Sequence, residues 1–493
     1  VLLSGIDGQI LEVRAHLAAD HPRAGLLDQL DAAETLDRIR AAVRNSNLQW
    51  PDAPVTLSLS LPVRLSAAVG GDLAVAGAVL AASGVLPAER VAHTMLLGEL
   101  GLDGRVRPVR GLLPAVLAAR RAGLRVAIVP RAGVPEASMV SDMVVLGADR
   151  LAEVIAYLRD EPFPPAGPGT MTVAAPSTEP DLADVVGQPE GAAALEIAAA
   201  GGHHLLLLGM PGSGATMLAR RLPGLLPDLS PLDALEVTAI HSISGSLPPE
   251  TPLITRPPLV APHHSSSAPA MLGGGVGRAR PGAISQAHRG VLFLQDAAEF
   301  GSHRLEALCA ALDDGEVRLA RRDGVARYPA RFQLVLASPW CPCLRPESDC
   351  SCSPHAKRRY LARLAGPLLD RIDLRVRLRP IPPAGAQDLP VPDPTAMVRE
   401  RVQQARDRAA RRWAQYGVVT NAEVPRPILR RDFALPRSAT ALLDRGLASG
   451  AVTARGADRC IRVAWTLADL AGLDTPGIDE MAAALEFRDR RAS

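Results

Sequence analysis

The residues best suited to chemistry lie mid-chain, in HHLLLLGMPGSGATMLARRL (203–222). An apolar run leads into a glycine-rich turn and then a helical pattern. Gly209 and Gly214 are spaced as GxxxxG and are followed by Ala215 and Thr216. A turn of this kind cradles phosphate. Its glycines let backbone N–H groups face the oxygens, and the helix N-terminus behind adds a positive dipole end. Gly209, Pro211, Gly212, Ser213, Gly214, Ala215, Thr216 and Met217 are the candidate contacts to the nucleotide, and the Thr216 hydroxyl is the candidate ligand of Mg2+. The lysine that would reach the β and γ phosphates is replaced by Ala215. A second strand-like segment, GVLFLQDAAEF (290–300), ends where two acids are needed, one for magnesium and one to orient the attacking water. It offers Gln295 and then Asp296. A glutamine cannot neutralise a metal, and an aspartate is one methylene shorter than a glutamate. A misplacement of ~1 Å can cost ~100-fold in rate. Asp296 is the remaining catalytic candidate, with Glu299 as a neighbour that would have to shift to help.

Three further groups carry chemistry-bearing residues. Cys341, Cys343, Cys350 and Cys352 form CxC-x6-CxC, which suits four-thiolate zinc, although structural zinc sites more often use CxxC. Free thiols and disulfides are the alternatives, and His355 is a spare ligand. Cys309 and Cys460 fall in helical patterns and read as core. The segment EVRLARRDGVARYPARFQLVLAS alternates, turns at Asp323-Gly324 and alternates again, a hairpin signal. Arg321, Arg322 and Arg327 near its tip are candidate contacts to DNA phosphates, or simply a solvated tip. His263 and His264 are adjacent on an extended segment, so their side chains diverge and joint metal ligation is not expected.

The elements that must position these residues can be read from pattern. Leu205–Leu208, Val291–Leu294 and Phe332–Ala337 read as buried parallel strands. Residues 181–385 then form one α/β module. Residues 161–180, rich in proline, glycine, serine and threonine, read as a linker. Before it, residues 1–160 mix short apolar runs, such as Val55–Leu61 and Val126–Val129, with alanine-rich helical stretches. After it, residues 395–493 are helical, with apolar spacing of three and four.

The 493 residues are 47% hydrophobic and 22% charged, which excludes disorder over most of the chain. The longest nearly apolar stretch, Leu73–Leu86, is interrupted by glycines and a serine and is too short for a membrane span. No membrane partner is expected, no secretory signal pattern opens the sequence, and the expected location is the cytoplasm. A net charge of +2 neither indicates nor excludes nucleic acid. Of the 54 basic residues one is lysine, Lys357. No site that requires a lysine can therefore be assumed elsewhere, and a Ser-Lys dyad in the N-terminal part is excluded.

Long stretches of the chain resemble the ComM (YifB) branch of magnesium-chelatase-like AAA+ ATPases. They include LLGELGLDGRVRPVRGLLPAVLAARRAG (96–123), DVVGQPEGAAALEIAAAGGHHLLLLG (184–209), RPPLVAPHHSSSAPAMLGGG, RRYLARLAGPLLDRIDLRV and TARGADRCIRVAWTLADLAG. The resemblance implies an α/β fold in three parts. An N-terminal α+β domain like those of Lon and ribosomal protein S5 (1–160) precedes an AAA+ P-loop module with a parallel sheet, and a helical C-terminal lid follows. It implies ATP with Mg2+ as cofactor, a ring-shaped homo-hexamer or a mixed ring with a homologue, and a role in DNA branch migration during natural transformation. It also implies an arginine finger at Arg371, reaching a neighbouring subunit's nucleotide, and a sensor-2 arginine at Arg455. The family shares the paired cysteines and the histidine pair. The chain departs from the family at the chemistry. Ala215 replaces the lysine, Gln295-Asp296 replaces the Walker B acids, and Pro339 in ASPWCPC stands at the sensor-1 asparagine. Three independent losses point to natural decay, and the expectation is impaired hydrolysis. Two alternatives carry different expectations: a non-catalytic scaffold partnering an intact homologue and, ranked lower, magnesium insertion into a porphyrin.

Overall fold

The computed structural model describes residues 1–17, 29–61, 68–162, 180–247, 253–275, 279–321, 324–345, 347–364, 366–380 and 391–489. The expected linker lies almost entirely outside the described residues, as does Arg322.

The chain folds as a mixed α/β protein around a five-stranded parallel sheet. Its spatial order is Leu259–Val260, Val291–Leu294, Gln333–Ser338, Leu205–Leu208, Leu374–Arg377. The run LLLL at 205–208 and VLFL at 291–294 are buried at every position. That is what a strand covered on both faces requires, and it explains the absence of polar alternation. The expected strand Phe332–Ala337 is found one residue later, at Gln333–Ser338. Gln333 begins a buried strand because its amide has partners: it donates to the Ala198 and His203 carbonyls, both at 2.8 Å.

Two apolar layers sandwich the sheet. On one face, Leu205, Leu207, Phe293, Val335 and Val376 pack against helices Pro189–Gly201 and Ala215–Leu225. The same core continues into the C-terminal helices through Val402, Trp413, Ile461 and Trp465. On the other face, Leu206, Leu292, Leu334 and Leu336 meet Leu305 and Leu308 of helix Ser302–Asp314. The C-terminal region is helical as expected, with helices Thr395–Trp413, Arg437–Ala448, Ala454–Ala471 and Ile478–Asp489. Helix Ala454–Ala471 starts where the Thr453 hydroxyl accepts from Gly456 N–H at 3.0 Å and ends at Gly472 with φ 73°. These are ordinary start and stop devices.

The N-terminal part builds its own cores. It has an antiparallel pair, Val13–Leu17 with Val55–Leu59, and a parallel sheet of Thr94–Leu96, Val126–Pro130 and Val144–Ala148. It packs onto helix Pro231–Ser244 of the middle region. Ala239 joins its apolar cluster, and the half-buried Glu136 carboxylate accepts from Leu113 N–H (2.8 Å) and the Ser242 hydroxyl (2.5 Å). Among the described residues no helix is long and apolar enough to cross a membrane.

Candidate functional site

All five strands of the central sheet are parallel, so their C-terminal ends share one edge, where ligands of open α/β sheets bind. The glycine-rich turn leaves strand Leu205–Leu208 at this edge. Gly212 and Gly214 take φ 85° and 88°, and helix Ala215–Leu225 begins immediately after. Both glycines are in the left-handed region that side chains disfavour. A Cβ on Gly212 would meet nothing within 4 Å, so it is the conformation, and not crowding, that calls for glycine there. Gly209 differs: its Cβ would fall 2.2 Å from the Ser213 Oγ. That oxygen is buried and has no hydrogen-bond partner among the described residues. An unpaired buried hydroxyl is costly and commonly marks a place for a missing partner. Pro211 and Gly212 are exposed, Thr216 is partly exposed, and Met217 projects outward at 44% exposure.

The turn is held from below by a residue that sequence reasoning passed over. The Gln188 side-chain amide donates to the Ser213 carbonyl (3.0 Å) and to the Arg379 carbonyl (2.6 Å). It ties the loop to the end of the neighbouring strand. The only signal for it was its place in DVVGQPEG, just before Pro189 opens a helix.

The two other expected positions reach the same edge. Gln295 and Asp296 follow strand Val291–Leu294, and Pro339 follows strand Gln333–Ser338. Asp296 takes φ 53°, a left-handed conformation uncommon for a residue with a side chain. Glu299 is engaged elsewhere, with both carboxylate oxygens 3.2 Å from Arg363. Its recruitment to the loop would break that pair. The geometry thus divides in two. The backbone cradle and the Thr216 hydroxyl suit a triphosphate with its metal. The charged groups that would neutralise them, at positions 215 and 295, are absent.

Arg371 and Arg455 lie elsewhere. Arg371 ends a 3-10 turn just before strand Leu374–Arg377, at the opposite edge of the sheet from the glycine-rich turn. At ~3.3 Å per residue, the four-residue strand separates the two by roughly 13 Å. Arg371 is fixed: Nε donates to Asp313 at 2.8 Å, Nη1 to the Pro367 carbonyl at 2.6 Å, and Nη2 to the second Asp313 oxygen. The Arg371 guanidinium holds the Asp313 carboxyl below its usual range, with help from Arg455 and Arg459. Arg455 is exposed in the first turn of helix Ala454–Ala471, one turn before Arg459, whose Nη1 donates to Asp373 at 2.6 Å. The structure therefore brings Arg371 and Arg455 together and places neither beside its own phosphate loop.

A buried polar network backs this second edge. Burial opposes the charge on Asp373, but Arg459 and the neighbouring histidines hold its carboxyl far below the usual range. The Asp373 carboxylate accepts from the His204 backbone N–H at 3.0 Å, and His203 Nε2 meets Thr466 Oγ1 at 2.7 Å. Burial, with Arg459 and His203 adding to it, pushes the His204 ring down to about 4. The Leu334 N–H donates to His204 Nδ1 at 3.1 Å, which requires that nitrogen to be unprotonated.

The expected hairpin forms from Glu316–Arg321 and Gly324–Pro329. Arg327 is exposed but sits opposite Arg318, three residues from the closing pair Arg321–Gly324, and so is not at the tip. Arg321 is tied to the Gly275 carbonyl. On the inner face, Ala326 and Tyr328 are buried against the N-terminal part. Contrary to the expected divergence, the His263 and His264 rings lie together, tilted by 35° with centroids 4.1 Å apart, because the segment turns at this point, and His263 Nδ1 pairs with Ser265 Oγ. They form no metal cluster among the described residues. The four clustered cysteines do converge, with all four Sγ atoms within 4.8 Å of one another. His355 is not part of that group.

A glycine-rich turn between strand and helix, at the open edge of a five-stranded parallel sheet with a helical C-terminal region, defines a P-loop α/β module of the AAA+ kind. Comparison with known families agrees. The magnesium chelatase subunit ChlI family matches residues 181–385, its C-terminal family residues 392–488, and a further ChlI family residues 16–133. Among relatives, an uncharacterized protein of Mycobacterium tuberculosis is 53% identical, covering 100% of this chain and 98% of its own. YifB of Escherichia coli is 36% identical over 98% of this chain and 95% of its own. Competence protein ComM of Haemophilus influenzae is 34% identical over the same shares, 98% and 95%. The chain belongs to the ComM/YifB family of magnesium-chelatase-like proteins.

Proposed function

We propose that this ComM-like AAA+ protein binds a nucleoside triphosphate with Mg2+ weakly, turns it over little or not at all, and works as a ring on DNA. The observation that carries this reading is the contrast within one loop. Gly212 and Gly214 keep the left-handed backbone of a phosphate cradle and the buried Ser213 hydroxyl has no partner among the described residues, while position 215 carries no charge. Gly212–Thr216 would hold the phosphates through backbone N–H groups, and Thr216 would offer its hydroxyl to the metal. A bound triphosphate would supply the free-energy source of a motor, and Asp296 is the residue left to orient water. Loss of a lysine–phosphate hydrogen bond costs ~1.5–3 kcal/mol, a ~10- to 150-fold loss of affinity. The DNA part rests on kinship with a competence protein and on the exposed Arg327 of the hairpin.

A second reading is a non-catalytic ring member that serves an intact homologue. It is favoured by the survival of Arg371 and Arg455, which face away from their own loop, beside decay at positions 215, 295 and 339. Calorimetric titration with MgATP separates the two, run beside an Ala215→Lys, Gln295→Asp double variant. Micromolar binding by the unaltered chain is the expected result under the first reading. Binding by the double variant alone would transfer the weight to the second. Binding by neither would remove the nucleotide from both.

A further inference from the structure

The loop after strand Gln333–Ser338 is built around the four cysteines and little else. Between Pro339 and Ser353 the regular structure among the described residues is a single 3-10 turn, Glu347–Asp349. The local apolar cluster has three buried members, Met210, Trp340 and Cys341, with the other three thiols packed against them. Such a core is too small to fix a segment of this length by burial alone, and segments of this kind are ordinarily stapled by disulfides or a metal.

The sulfur geometry chooses between these two. Cys341 and Cys350 Sγ lie 3.4 Å apart, Cys343 and Cys341 3.4 Å, and Cys343 and Cys350 3.6 Å. A disulfide would bring one pair to ~2.05 Å, and all six cysteines are free. A tetrahedral ion with metal–sulfur distances of ~2.3 Å would set its four sulfurs about 3.8 Å apart. The thiols already stand near that size, grouped and not paired. Cys350 and Cys352 reach the group from the irregular stretch that follows the 3-10 turn Glu347–Asp349. Cys341 and Cys343 come from a tight turn closed by Leu344, a non-glycine residue at φ 55° that is 54% exposed. An exposed leucine in a left-handed conformation gains nothing from burial there. Such strain persists only where the surroundings over-determine the backbone, as a pair of metal bonds would.

The cluster also touches the glycine-rich turn. Met210, one residue before Pro211, is its buried partner, and the Met210 carbonyl accepts from the Ser213 N–H at 3.0 Å. The Gly209 N–H donates to the Ser338 carbonyl at 3.1 Å, beside the start of the cysteine loop. Arg377 stacks over Trp340, 4.8 Å from the ring centroid, closing the cluster on the side of the neighbouring strand.

We propose that Cys341, Cys343, Cys350 and Cys352 bind one zinc ion, and that this ion clips the cysteine loop against Met210 and so holds the wall of the phosphate cradle. Four thiols become thiolates as the ion binds, and their protons leave to solvent, so affinity rises with pH. The clip does not depend on nucleotide binding. A chain that holds zinc but no triphosphate keeps this inference and loses the reading above.

The test starts with the full chain purified under reducing conditions without added chelator. Elemental analysis is expected to give one zinc per chain, and a Cys309→Ser control is expected to keep it. A Cys343→Ser variant is expected to lose it. If that variant fails to fold, cobalt substitution of the unaltered chain decides, because tetrahedral thiolate coordination gives an intense visible spectrum with sulfur-to-metal charge transfer. Hydrogen exchange then compares the zinc-loaded chain with one stripped by chelator. Stripping is expected to speed exchange by tenfold or more at residues 209–213 and 339–353, and to leave helix Ala454–Ala471 unchanged. A chain that takes up neither zinc nor cobalt overturns the site. Unchanged exchange at 209–213 after zinc removal overturns the clip.

Discussion

Gln188 is a single side chain that ties the glycine-rich turn to the end of a neighbouring strand. Its two amide hydrogens go to carbonyls from segments far apart in sequence, Ser213 and Arg379. Removing a buried donor leaves both acceptors without a partner, which costs ~1–3 kcal/mol. Gln188→Ala is therefore expected to lower stability by that amount in denaturant titration. Gln188→Glu should do nearly as much damage, because it keeps the shape but cannot donate when ionised. An alanine variant within ~0.5 kcal/mol of the parent would show that water replaces the amide. Gln188 also marks what a sequence can carry at this scale. The glycines of the turn were legible from their spacing, and the structure adds that Gly212 and Gly214 take positive φ. The lost lysine at 215 was legible for the same reason, since its position is set by spacing. The part played by Gln188 was not, because it exists only once two distant strands are side by side. The engagement of Glu299 by Arg363 was hidden in the same way.

The parallel strands were legible as elements because a strand buried on both faces reads as an unbroken apolar run. The one-residue displacement of Gln333–Ser338 follows from Gln333, whose polarity hides a buried position satisfied by two carbonyls. Less visible was the way the strands are fastened at the edge opposite the glycine-rich turn. There His204 accepts from the Leu334 N–H, a bond between two strands that needs a neutral ring. With its titration pushed down to about 4 from an ordinary 6.5, His204 sets a direction for acid sensitivity. Above about 6.5 the ring is neutral in both native and unfolded chains. As pH falls from 6.5 toward 4, the unfolded chain takes up a proton that the native chain refuses, so stability declines across that window. Asp373, held low by Arg459 against the cost of burial, extends the loss below the ordinary carboxyl range. Glu136, raised by burial, works the other way and gains stability as it protonates. Thermal unfolding is expected to shift to lower temperature between pH 6.5 and 4. His204→Asn, whose side-chain oxygen can accept from Leu334 without titrating, should flatten that decline. Parallel curves for the two proteins would assign the acid sensitivity to other groups.

At the scale of the molecule the two ends of the sheet carry different groups. One end carries the glycine-rich turn and the other carries Arg371 and Arg455, and the sheet between them keeps an arginine from reaching its own loop. Arg371 spends three N–H groups on Asp313 and Pro367. A guanidinium has five, so two remain for a ligand, on a side chain already held in place. A head-to-tail ring would bring that end against the next subunit's cradle. The prediction needs two chains, each defective in a different way. A variant with Ala215→Lys, Gln295→Asp and Arg371→Ala would have the lysine and aspartate restored and lack the proposed finger, and the unaltered chain would keep Arg371 beside a glycine-rich turn without them. Arginine fingers are worth roughly 1,000-fold or more in phosphoryl transfer. Each chain alone should therefore hydrolyse ATP negligibly. Mixed, they should show turnover that rises with the share of unaltered chain, peaks, and then falls as repaired cradles are diluted. The two activities would simply add if Arg371 served its own subunit, or if the chains did not assemble. Sedimentation of the mixture tells these apart. A mixed assembly without turnover would leave Arg371 as a structural partner of Asp313. Turnover only in the mixture would show that a chain with a decayed cradle can still contribute to a neighbour's catalysis, which is the chemistry that loss at positions 215 and 295 leaves intact.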